Sequence, residues 1–313
     1  MLHRALDSLL AQTMQGSFEV LVIDNGSTDD TRQVAESFAE RFDLRYFYDA
    51  KPGLHVGRHR GLREAKHDVL VYADDDIEAL PSWLEAIADC FSDPKVALVG
   101  GNNYPNFESE PPEWLRKLWS VPAYGGRAIT WLSVLELSAG RREVTPFTVW
   151  GCNFSIRKDV LVDAGGFHPD GMPDDHIRFR GDGETHVSAH VLKRGLRTLF
   201  DSSASVRHAV TRSRMTLEYF RKRAYSQGIS DSYSRLRNGA PVSDGAWLAS
   251  AEDAVRMIAR RVRSAAQFML KDAELRQVDR VLGAGYRDGF AYHQNVYQRD
   301  PEVRAWVHQP DYL

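Results

Sequence analysis

Three consecutive carboxylates stand next to a short apolar segment in the first half of the chain. The segment DVLVYA, which has the composition of a buried strand, is followed directly by Asp74, Asp75 and Asp76. Adjacent carboxylates repel one another unless a cation or hydrogen-bond donors compensate their charge. Mg²⁺ and Mn²⁺ typically take one or two protein carboxylates and fill their other positions with water and phosphate oxygens. The run therefore predicts a metal site beside a phosphate-bearing ligand; the alternative is that Asp76 caps the helix near Pro81.

Another carboxylate occupies the same kind of place after an earlier apolar segment. Asp24 closes the segment FEVLVID and is followed by Asn25, Gly26 and Ser27, which are residues that form turns. In α/β sheets, ligands bind at the carboxyl ends of the strands. We therefore expect Asp24 and the three aspartates to face one binding site. The alternative interpretation is that Asp24 organises the turn in DNGSTDD, and the two roles are compatible.

Apolar runs that alternate with amphipathic segments determine the predicted fold. The predicted strands are FEVLVI, LRYFYD, DVLVYA and VALVGG, and the predicted helices are TDDTRQVAESFAERF, VGRHRGLREAK and PSWLEAIADCF. This alternation indicates an α/β fold with a mostly parallel sheet flanked by helices. The stretch from Asn102 to Phe147 is rich in Pro, Trp and Gly and predicts loops and short elements. From about Met215 onward the pattern is helical and rich in arginine.

The composition excludes several classes of protein. The 313 residues are 43% hydrophobic and 27% charged, and 40 basic against 43 acidic residues give a net charge of −3. This balance provides no global field for nucleic acid, so we expect no nucleic-acid partner. Two cysteines, Cys90 and Cys152, are too few for a disulfide framework. With no apolar segment long enough to span a membrane and no signal peptide, the sequence predicts a cytoplasmic protein.

Six blocks of the sequence resemble glycosyltransferase family 2, whose members have the Rossmann-like GT-A fold. The blocks are LHRALDSLLAQT, FEVLVIDNGSTDDT, KPGLHVGRHRGLREA, DVLVYADDDIEALPSWLEAI, WGCNFSIRKDVLVDAGGF and RGDGETHVSAHVLKRGLRTLF, in the family's order. The resemblance implies a hexosyltransferase-type enzyme that uses a nucleotide-diphospho-sugar, most commonly a UDP-sugar, with Mn²⁺ or Mg²⁺. It also implies a glycan, a lipid-linked molecule or a small molecule as the acceptor.

The resemblance assigns residues to the donor and to the metal. Asp24 would contact the nucleotide base, and Arg58 would contact the nucleotide. The full donor-binding set that we predict is Asp24, Asn25, Arg58, Asp74, Asp75 and Asn153. The predicted metal ligands are Asp76, Asp74 and His208, with a purely structural histidine as the alternative for His208. Further candidates are Trp150 at the sugar, and Arg212 and Arg214 at the phosphates.

Glu184 and Asp182 are the candidates for the catalytic base. Gapless alignment of HVSAHVLKRGLR on the family's helix places Glu184 at the base position, and Asp182 lies two residues earlier. The sequence reads Gly-Asp-Gly-Glu where the family has Glu-Asp, which leaves both candidates open. A carboxylate at the start of a helix is also a common cap. In inverting members the base removes a proton from the acceptor hydroxyl while the metal neutralises the diphosphate leaving group.

The family pattern divides the chain into a GT-A glycosyltransferase domain at 1–214 and a helical C-terminal region at 215–313. Within the domain, 1–101 is expected to bind the nucleotide sugar and 102–214 the acceptor. The family normally begins with an apolar strand that contacts the nucleotide, whereas this sequence starts at the helix that should follow that strand. The absence of the strand should leave unpaired strand edges and uncovered apolar helix faces.

The sequence is also compatible with other interpretations. One is a non-catalytic nucleotide- or sugar-binding protein that kept the fold and lost turnover. A nucleotidyltransferase is disfavoured, because it would need a Gly-rich phosphate loop near the N-terminus and none is present. A predicted Arg-rich helix has two interpretations, a solvated face and peripheral contact with an anionic membrane. Its basic residues are Arg256, Arg260, Arg261 and Arg263.

Overall fold

The computed structural model describes residues 1–242 and 272–313. The strands are β1 (Glu19–Asp24), β2 (Asp43–Tyr48), β3 (Val69–Ala73), β4 (Ile77–Ala79), β5 (Val96–Gly100), β6 (Asn103–Phe107), β7 (Pro122–Ala123), β8 (Gly126–Ile129), β9 (Val134–Glu136), β10 (Arg141–Glu143), β11 (Asn153–Arg157), β12 (Arg197–Asp201) and β13 (Val206–Val210). The helices are α1 (Leu2–Leu10), α2 (Thr31–Ser37), α3 (Leu54–Glu64), α4 (Trp83–Phe91), α5 (Glu113–Ser120), α6 (Lys158–Asp163), α7 (Glu184–Lys193), α8 (Leu217–Arg237), α9 (Ala273–Arg299) and α10 (Pro301–Val307). The predicted Arg-rich helix with Arg256, Arg260, Arg261 and Arg263 lies outside the described residues.

The strands form three sheets with mixed pairing. A five-stranded sheet has the order β10-β12-β5-β11-β3, a six-stranded sheet has the order β4-β13-β6-β9-β8-β7, and β1 pairs with β2. The pairs β1–β2, β5–β12 and β6–β13 are parallel, whereas β11 runs antiparallel to both β3 and β5. The strand–helix alternation predicted the parallel part. The antiparallel part comes from the irregular stretch before β11, which reverses the chain direction. The predicted α/β class is confirmed, but the sheets are not mostly parallel as predicted, because seven of the ten strand pairs in the described residues are antiparallel.

The centre of the five-stranded sheet is fully buried. Strand β5 has the sequence VALVG, and all five of its residues are buried between its neighbours β11 and β12. A continuous apolar run is what a strand covered on both faces requires. Helix α4 packs on this strand and buries Trp83, Ile87 and Phe91. This core fixes the strand ends from which the site residues project.

The sheet is interrupted between β1 and β3. In the described part of the chain, β1 pairs only with β2 and β3 pairs only with β11. A Cβ atom at Gly61 of α3 would lie 3.9 Å from both Ile23 of β1 and Tyr72 of β3, so one helix covers both strands. On the other face, Leu6 of α1 packs with apolar residues of β1. Within the described residues, each of these two strands therefore has one edge without a strand partner, which agrees with the expectation from the sequence.

Helices α8 and α9 form the main part of the C-terminal region. Their backbones approach closely at glycines, because a Cβ atom at Gly285 would lie 2.4 Å from the carbonyl oxygen of Arg221, and one at Gly289 would lie 1.9 Å from that of Tyr225. The contacting pairs advance together along both helices, which shows that the helices run parallel. None of the helices in residues 1–242 and 272–313 is both long enough and apolar enough to cross a membrane.

The C-terminal residues Trp306 and Tyr312 pack against helix α3. The ring of His55 packs edge-on against both Trp306 and Tyr312. The Tyr312 hydroxyl lies 2.8 Å from the hydroxyl of Tyr233 in α8. On the same helix α3, the Nε2 atom of His59 accepts a hydrogen bond of 2.8 Å from the Phe167 N–H, so this ring is neutral in the folded protein. The tail therefore joins α3 to the C-terminal helices.

We predict that Gly289→Ala lowers the free energy of unfolding, because the new methyl group would overlap the Tyr225 carbonyl oxygen and push α8 and α9 apart. The expected cost is about 2 kcal/mol. The matched control is Gly283→Ala in the same helix, where a Cβ atom meets only the flexible end of Arg287 at 3.2 Å. Alanine favours a helix over glycine by about 1 kcal/mol, so the control should be stabilised. The test measures the melting temperatures of both variants by thermal unfolding. Equal changes in melting temperature would contradict the close packing of α8 against α9 at Gly289.

We predict that stability falls as the pH decreases from 6.5 towards 4, and that His59 contributes to this loss. Burial lowers the pKa of His59 from 6.5 to about 4. The unfolded chain therefore takes up the proton first, so this contribution is present above pH 6.5 and is lost as the pH falls towards 4. The largest slope that one such group adds is about 1.4 kcal/mol per pH unit.

The test measures melting temperatures between pH 7 and pH 5. His59→Gln keeps an acceptor near the Phe167 N–H and removes the titration, so its melting temperature should fall less than that of the wild type. His67→Gln, at an exposed position, should keep the wild-type dependence. An unchanged slope in His59→Gln would show that His59 does not bind the proton differently in the two states.

Candidate functional site

The three aspartates occupy the connection between β3 and β4. Asp76 directly precedes β4, and helix α4 has Ser82 at its N-cap position. The alternative interpretation of Asp76 as a helix cap is therefore wrong, because a short strand separates this residue from the helix. Strand β4 pairs antiparallel with β13 in a register that places Ile77 opposite His208. This pairing brings His208 beside Asp76.

Asp74, Asp76 and His208 form a compact cluster. One ligand atom from each residue lies within 4.8 Å of the others. Asp76 is 8% exposed and His208 is 4% exposed. The Oδ1 atom of Asp76 lies 3.2 Å from His208 Nε2, yet it lacks the geometry of a hydrogen bond, and His208 Nδ1 has no partner either. Buried polar atoms without partners beside two carboxylates are a donor set that suits a divalent cation.

The pKa values of the two carboxylates in the cluster are shifted in opposite directions. Burial and the nearby Asp76 charge raise the pKa of Asp74. Burial opposes ionisation of Asp76 as well, but His208 and Arg214 outweigh it and hold the pKa of Asp76 below its usual value. The Nη1 atom of Arg214 lies 2.9 Å from Asp76 Oδ2. A divalent cation at this place would favour the ionised form of both carboxylates.

Arg58 connects this cluster with Glu184. Its guanidinium is buried, and Nη1 lies 3.2 Å from Glu184 Oε2. Burial disfavours the charge, but Glu184 and Asp74 outweigh this effect and raise the pKa of Arg58. The other oxygen of Glu184 accepts a hydrogen bond of 3.2 Å from the Gly151 N–H. The predicted nucleotide-binding arginine thus lies between the aspartates and the predicted base.

The two candidate bases have different surroundings. Glu184 is the first residue of α7, and its side chain is 27% exposed. Asp182 is 12% exposed and both of its oxygens are occupied, because Oδ1 lies 2.6 Å from His168 Nδ1 and Oδ2 accepts a hydrogen bond of 2.6 Å from the Ser234 hydroxyl. Gly183 between them has a φ of 55°, a left-handed conformation that favours glycine. Both carboxylates are thus fully bonded, but Glu184 is the more exposed of the two and its hydrogen bonds are longer.

Helix α8 holds the loop that carries these candidates. The Ser230 hydroxyl donates a hydrogen bond of 2.6 Å to the Gly181 carbonyl and accepts one of 3.2 Å from Arg180 Nε. Ser234, one turn later, bonds to Asp182. No sequence pattern indicated these serines or His168. Small polar residues within a helix carry no local signal of such contacts, because their partners lie far away in the sequence.

Asp24 is the last residue of β1, and Asn25 begins the turn that follows it. Asp24 accepts hydrogen bonds of 2.7 Å from the Ser27 N–H and 2.6 Å from the Tyr46 hydroxyl. Asn25 Nδ2 donates to the carbonyl oxygens of Asp49 and Lys51. The turn-forming interpretation of Asp24 is thus confirmed, and its contact with a nucleotide base stays a prediction.

The remaining predicted residues lie at different distances from solvent. Asn153 is 1% exposed, and its amide accepts from Trp83 Nε1 and donates to the Ala204 carbonyl, so both polar atoms are used inside the protein. Asp75 and Arg212 are exposed. Trp150 is half-buried and its Nε1 donates to the Phe147 carbonyl. The structure thus gives Asn153 a structural role and leaves it no free polar group for a sugar.

Comparison with known proteins identifies the fold and the family. The family described as Glycosyl transferase family 2 matches residues 1–163. A mannosyltransferase, PcManGT from Pyrobaculum calidifontis, solved in complex with GDP-Man and Mn2+, is similar in structure with a TM-score of 0.56 at 17% identity, and the match covers 96% of this chain and 84% of that chain. This likeness confirms the predicted GT-A fold.

Two curated relatives are similar in sequence. A glucosyl-dolichyl phosphate glucuronosyltransferase of Haloferax volcanii is 25% identical over 237 residues, which are 72% of this chain and 69% of the relative. Glycosyltransferase AglE of the same organism is 33% identical over 172 residues, which are 53% of this chain and 51% of the relative, so the chain spans about half the length of this second protein. Because the family match covers more than half of its residues, the chain belongs to the enzymes of glycosyl transferase family 2, as the six sequence blocks predicted.

Proposed function

We propose that this protein transfers a hexose-type sugar from a nucleotide-diphospho-sugar to an acceptor hydroxyl, with a divalent metal ion and with inversion at the anomeric carbon. The observation that carries the proposal is the buried cluster of Asp74, Asp76 and His208 next to the pair of Arg58 and Glu184. It combines the two parts that such a transfer needs, which are a site for the diphosphate and a carboxylate for the proton.

The proposed donor site lies at the ends of β1 and β3. Asp24 and Asn25 would contact the nucleotide, Arg58 and Asp74 would lie nearer the diphosphate, and Asp75 is exposed on the same connection. We propose a UDP-sugar as the donor on the family resemblance, with GDP- and dTDP-sugars as alternatives. The solved mannosyltransferase with the same fold binds GDP-Man. Asn153 is not part of this proposed set, because its amide is bonded within the protein.

The proposed metal ligands are Asp74, Asp76 and His208. Their carboxylate and imidazole atoms suit Mn²⁺, and the two carboxylates also suit Mg²⁺. A bound cation would supply positive charge next to the diphosphate leaving group. Arg214 already pairs with Asp76, and its guanidinium is a second positive group that could hold a phosphate oxygen at this place.

Glu184 is the proposed general base. Arg58 and the Gly151 N–H hold its two oxygens in a fixed orientation at the start of α7. The carboxylate would take the proton of the acceptor hydroxyl as the oxygen attacks the anomeric carbon opposite the leaving diphosphate. Asp182, whose oxygens bond to His168 and Ser234, would position this loop rather than accept the proton.

The proposal extends to the organisation of the chain. Residues 1–101 would bind the donor, 102–214 would bind the acceptor and complete the transferase domain, and 215–313 would form the helical C-terminal region. The acceptor would be a glycan, a lipid-linked molecule or a small molecule, and we place the reaction in the cytoplasm, with peripheral membrane contact open. One alternative is a nucleotide- or sugar-binding protein without turnover.

The first test is nucleotide release from UDP-, GDP- and dTDP-sugars with Mn²⁺, with Mg²⁺ and with a chelator. We expect release from one donor class that depends on the metal. Asp76→Asn should lower this rate at least about a hundredfold, because it removes a carboxylate from the cluster. Glu78→Gln, on the adjacent strand outside the cluster, is the control and should keep the rate. Nucleotide binding without release from any donor would support the non-catalytic alternative.

The second test separates Glu184 from Asp182. Glu184→Gln should lower the rate of nucleotide release by about 10² to 10⁴, the usual effect of losing a general base, with little change in donor affinity. Asp182→Asn should mainly lower the melting temperature, because its contacts with His168 and Ser234 are structural. If Asp182→Asn abolishes release at an unchanged melting temperature while Glu184→Gln stays active, the base is Asp182.

A further inference from the structure

A cavity of about 280 Å³ lies between the irregular segment before β9 and helix α8. The residues that line it are Tyr124, Thr130, Trp131, Arg180, Arg223 and Gln227. Two arginines and two aromatic rings thus converge on one space from four separate segments of the chain. None of these six residues is among the predicted donor or metal ligands, so the cavity is a separate feature of the molecule.

The charge in the cavity is only partly compensated. Arg180 lies 2.5 Å from Asp170 and also bonds to Ser230, so it is held in place. Arg223 makes no ion pair within the described residues, and its Nε atom is buried without a hydrogen-bond partner. Both arginines act on the carboxylate of Asp170. Burial alone would raise the pKa of Asp170, but Arg180, Arg58 and Arg223 hold it below its usual value. Three arginines therefore act on one carboxylate, and Arg223 is the one of the three without an ion pair in the described part of the chain.

The two aromatic residues of the cavity, Tyr124 and Trp131, form its aromatic wall, and Tyr124 has an unfavourable backbone conformation. Tyr124 and Gly125 connect β7 to β8 in a two-residue hairpin loop, and both have positive φ, 56° for Tyr124 and 81° for Gly125. A large residue with positive φ is unusual, and such strain is often found at functional sites. The ring of Tyr124 packs edge-on against Trp150 at 5.8 Å. Trp131 completes the wall beside Arg223.

Two residues that line the cavity, Tyr124 and Arg180, are connected to the proposed general base through their neighbours. Trp150 directly precedes Gly151, whose N–H bonds to Glu184. Arg180, another lining residue, lies four residues before Glu184, in the loop that is bonded to α8. The lining residues are thus linked to Glu184 through Trp150 and Gly151 and through the loop that carries Arg180.

We propose that this cavity is the acceptor subsite and that it binds an acceptor carrying an anionic group, a phosphate or a carboxylate, through Arg180 and Arg223. Tyr124 and Trp131 would pack against the sugar or polyol part of the acceptor. The planar guanidinium of Arg223 can bond two oxygens of such a group. This inference rests on the proposed transferase function and names the chemical class of its acceptor.

The test uses three matched probes, glucose, glucose 1-phosphate and glucuronate, and measures their binding by calorimetry without a divalent metal. The wild type should bind at least one anionic probe about tenfold more tightly than glucose, the ratio that one charge-assisted hydrogen bond supplies. Arg223→Gln should bring this ratio close to one. Lys222→Gln, at an exposed neighbouring position of α8 outside the cavity, should keep the wild-type ratio.

The outcomes distinguish a phosphate from a carboxylate on the acceptor, and binding in the cavity from binding in the nucleotide site. Tighter binding of glucose 1-phosphate indicates a phosphate-bearing acceptor, and tighter binding of glucuronate indicates a carboxylate. Saturating UDP and GDP should leave the anionic probe bound, and its displacement would overturn the inference by locating it in the nucleotide site. Equal binding of all three probes, or equal effects of Arg223→Gln and Lys222→Gln, would also overturn it.

The inference and the proposed function can fail separately. Metal-dependent nucleotide release without any preference for the anionic probes would refute the acceptor subsite alone. Selective anion binding that depends on Arg223, together with no release from any nucleotide sugar, would refute the transferase proposal and leave a binding protein for an anionic sugar.

Discussion

A buried guanidinium is the constraint on which the site depends. Arg58 is 8% exposed, and an uncompensated charge in the interior of a protein costs several kcal/mol. Glu184, at the start of α7, and Asp74, directly after β3, both compensate it. The charge of Arg58 therefore favours an arrangement in which the two halves of the site stand at a fixed separation.

The C-terminal helices act on the site through the loop before α7. Ser230 and Ser234 of α8 bond to that loop, and the close backbone packing at Gly285 and Gly289 fixes α8 against α9. The helical region thus supports the site by holding this loop in place, although it supplies none of the proposed metal ligands. A change in α8–α9 packing would move the loop that carries Glu184.

The interruption between β1 and β3 lies beside the proposed donor site. Helix α3 covers both strands and carries Arg58, and the tail around Trp306 and Tyr312 packs against the outer face of that helix. Packing of α3 from both sides holds the two strands in place without hydrogen bonds between them. Within the described residues, the facing edges of β1 and β3 have no strand partner, so α3 and its packing are what connect the two strands.

The sequence by itself determined the local elements and half of the site. Short apolar runs predicted β1, β3 and β5, and the polar residues that close the first two predicted a ligand site, because burial and alternation are encoded in neighbouring residues. Pairings between distant segments were decided only by the tertiary structure. The β4–β13 register sets His208 beside Asp76, and packing sets Glu184 against Arg58, 126 positions away. No local pattern encodes such contacts, because they depend on how whole elements pack.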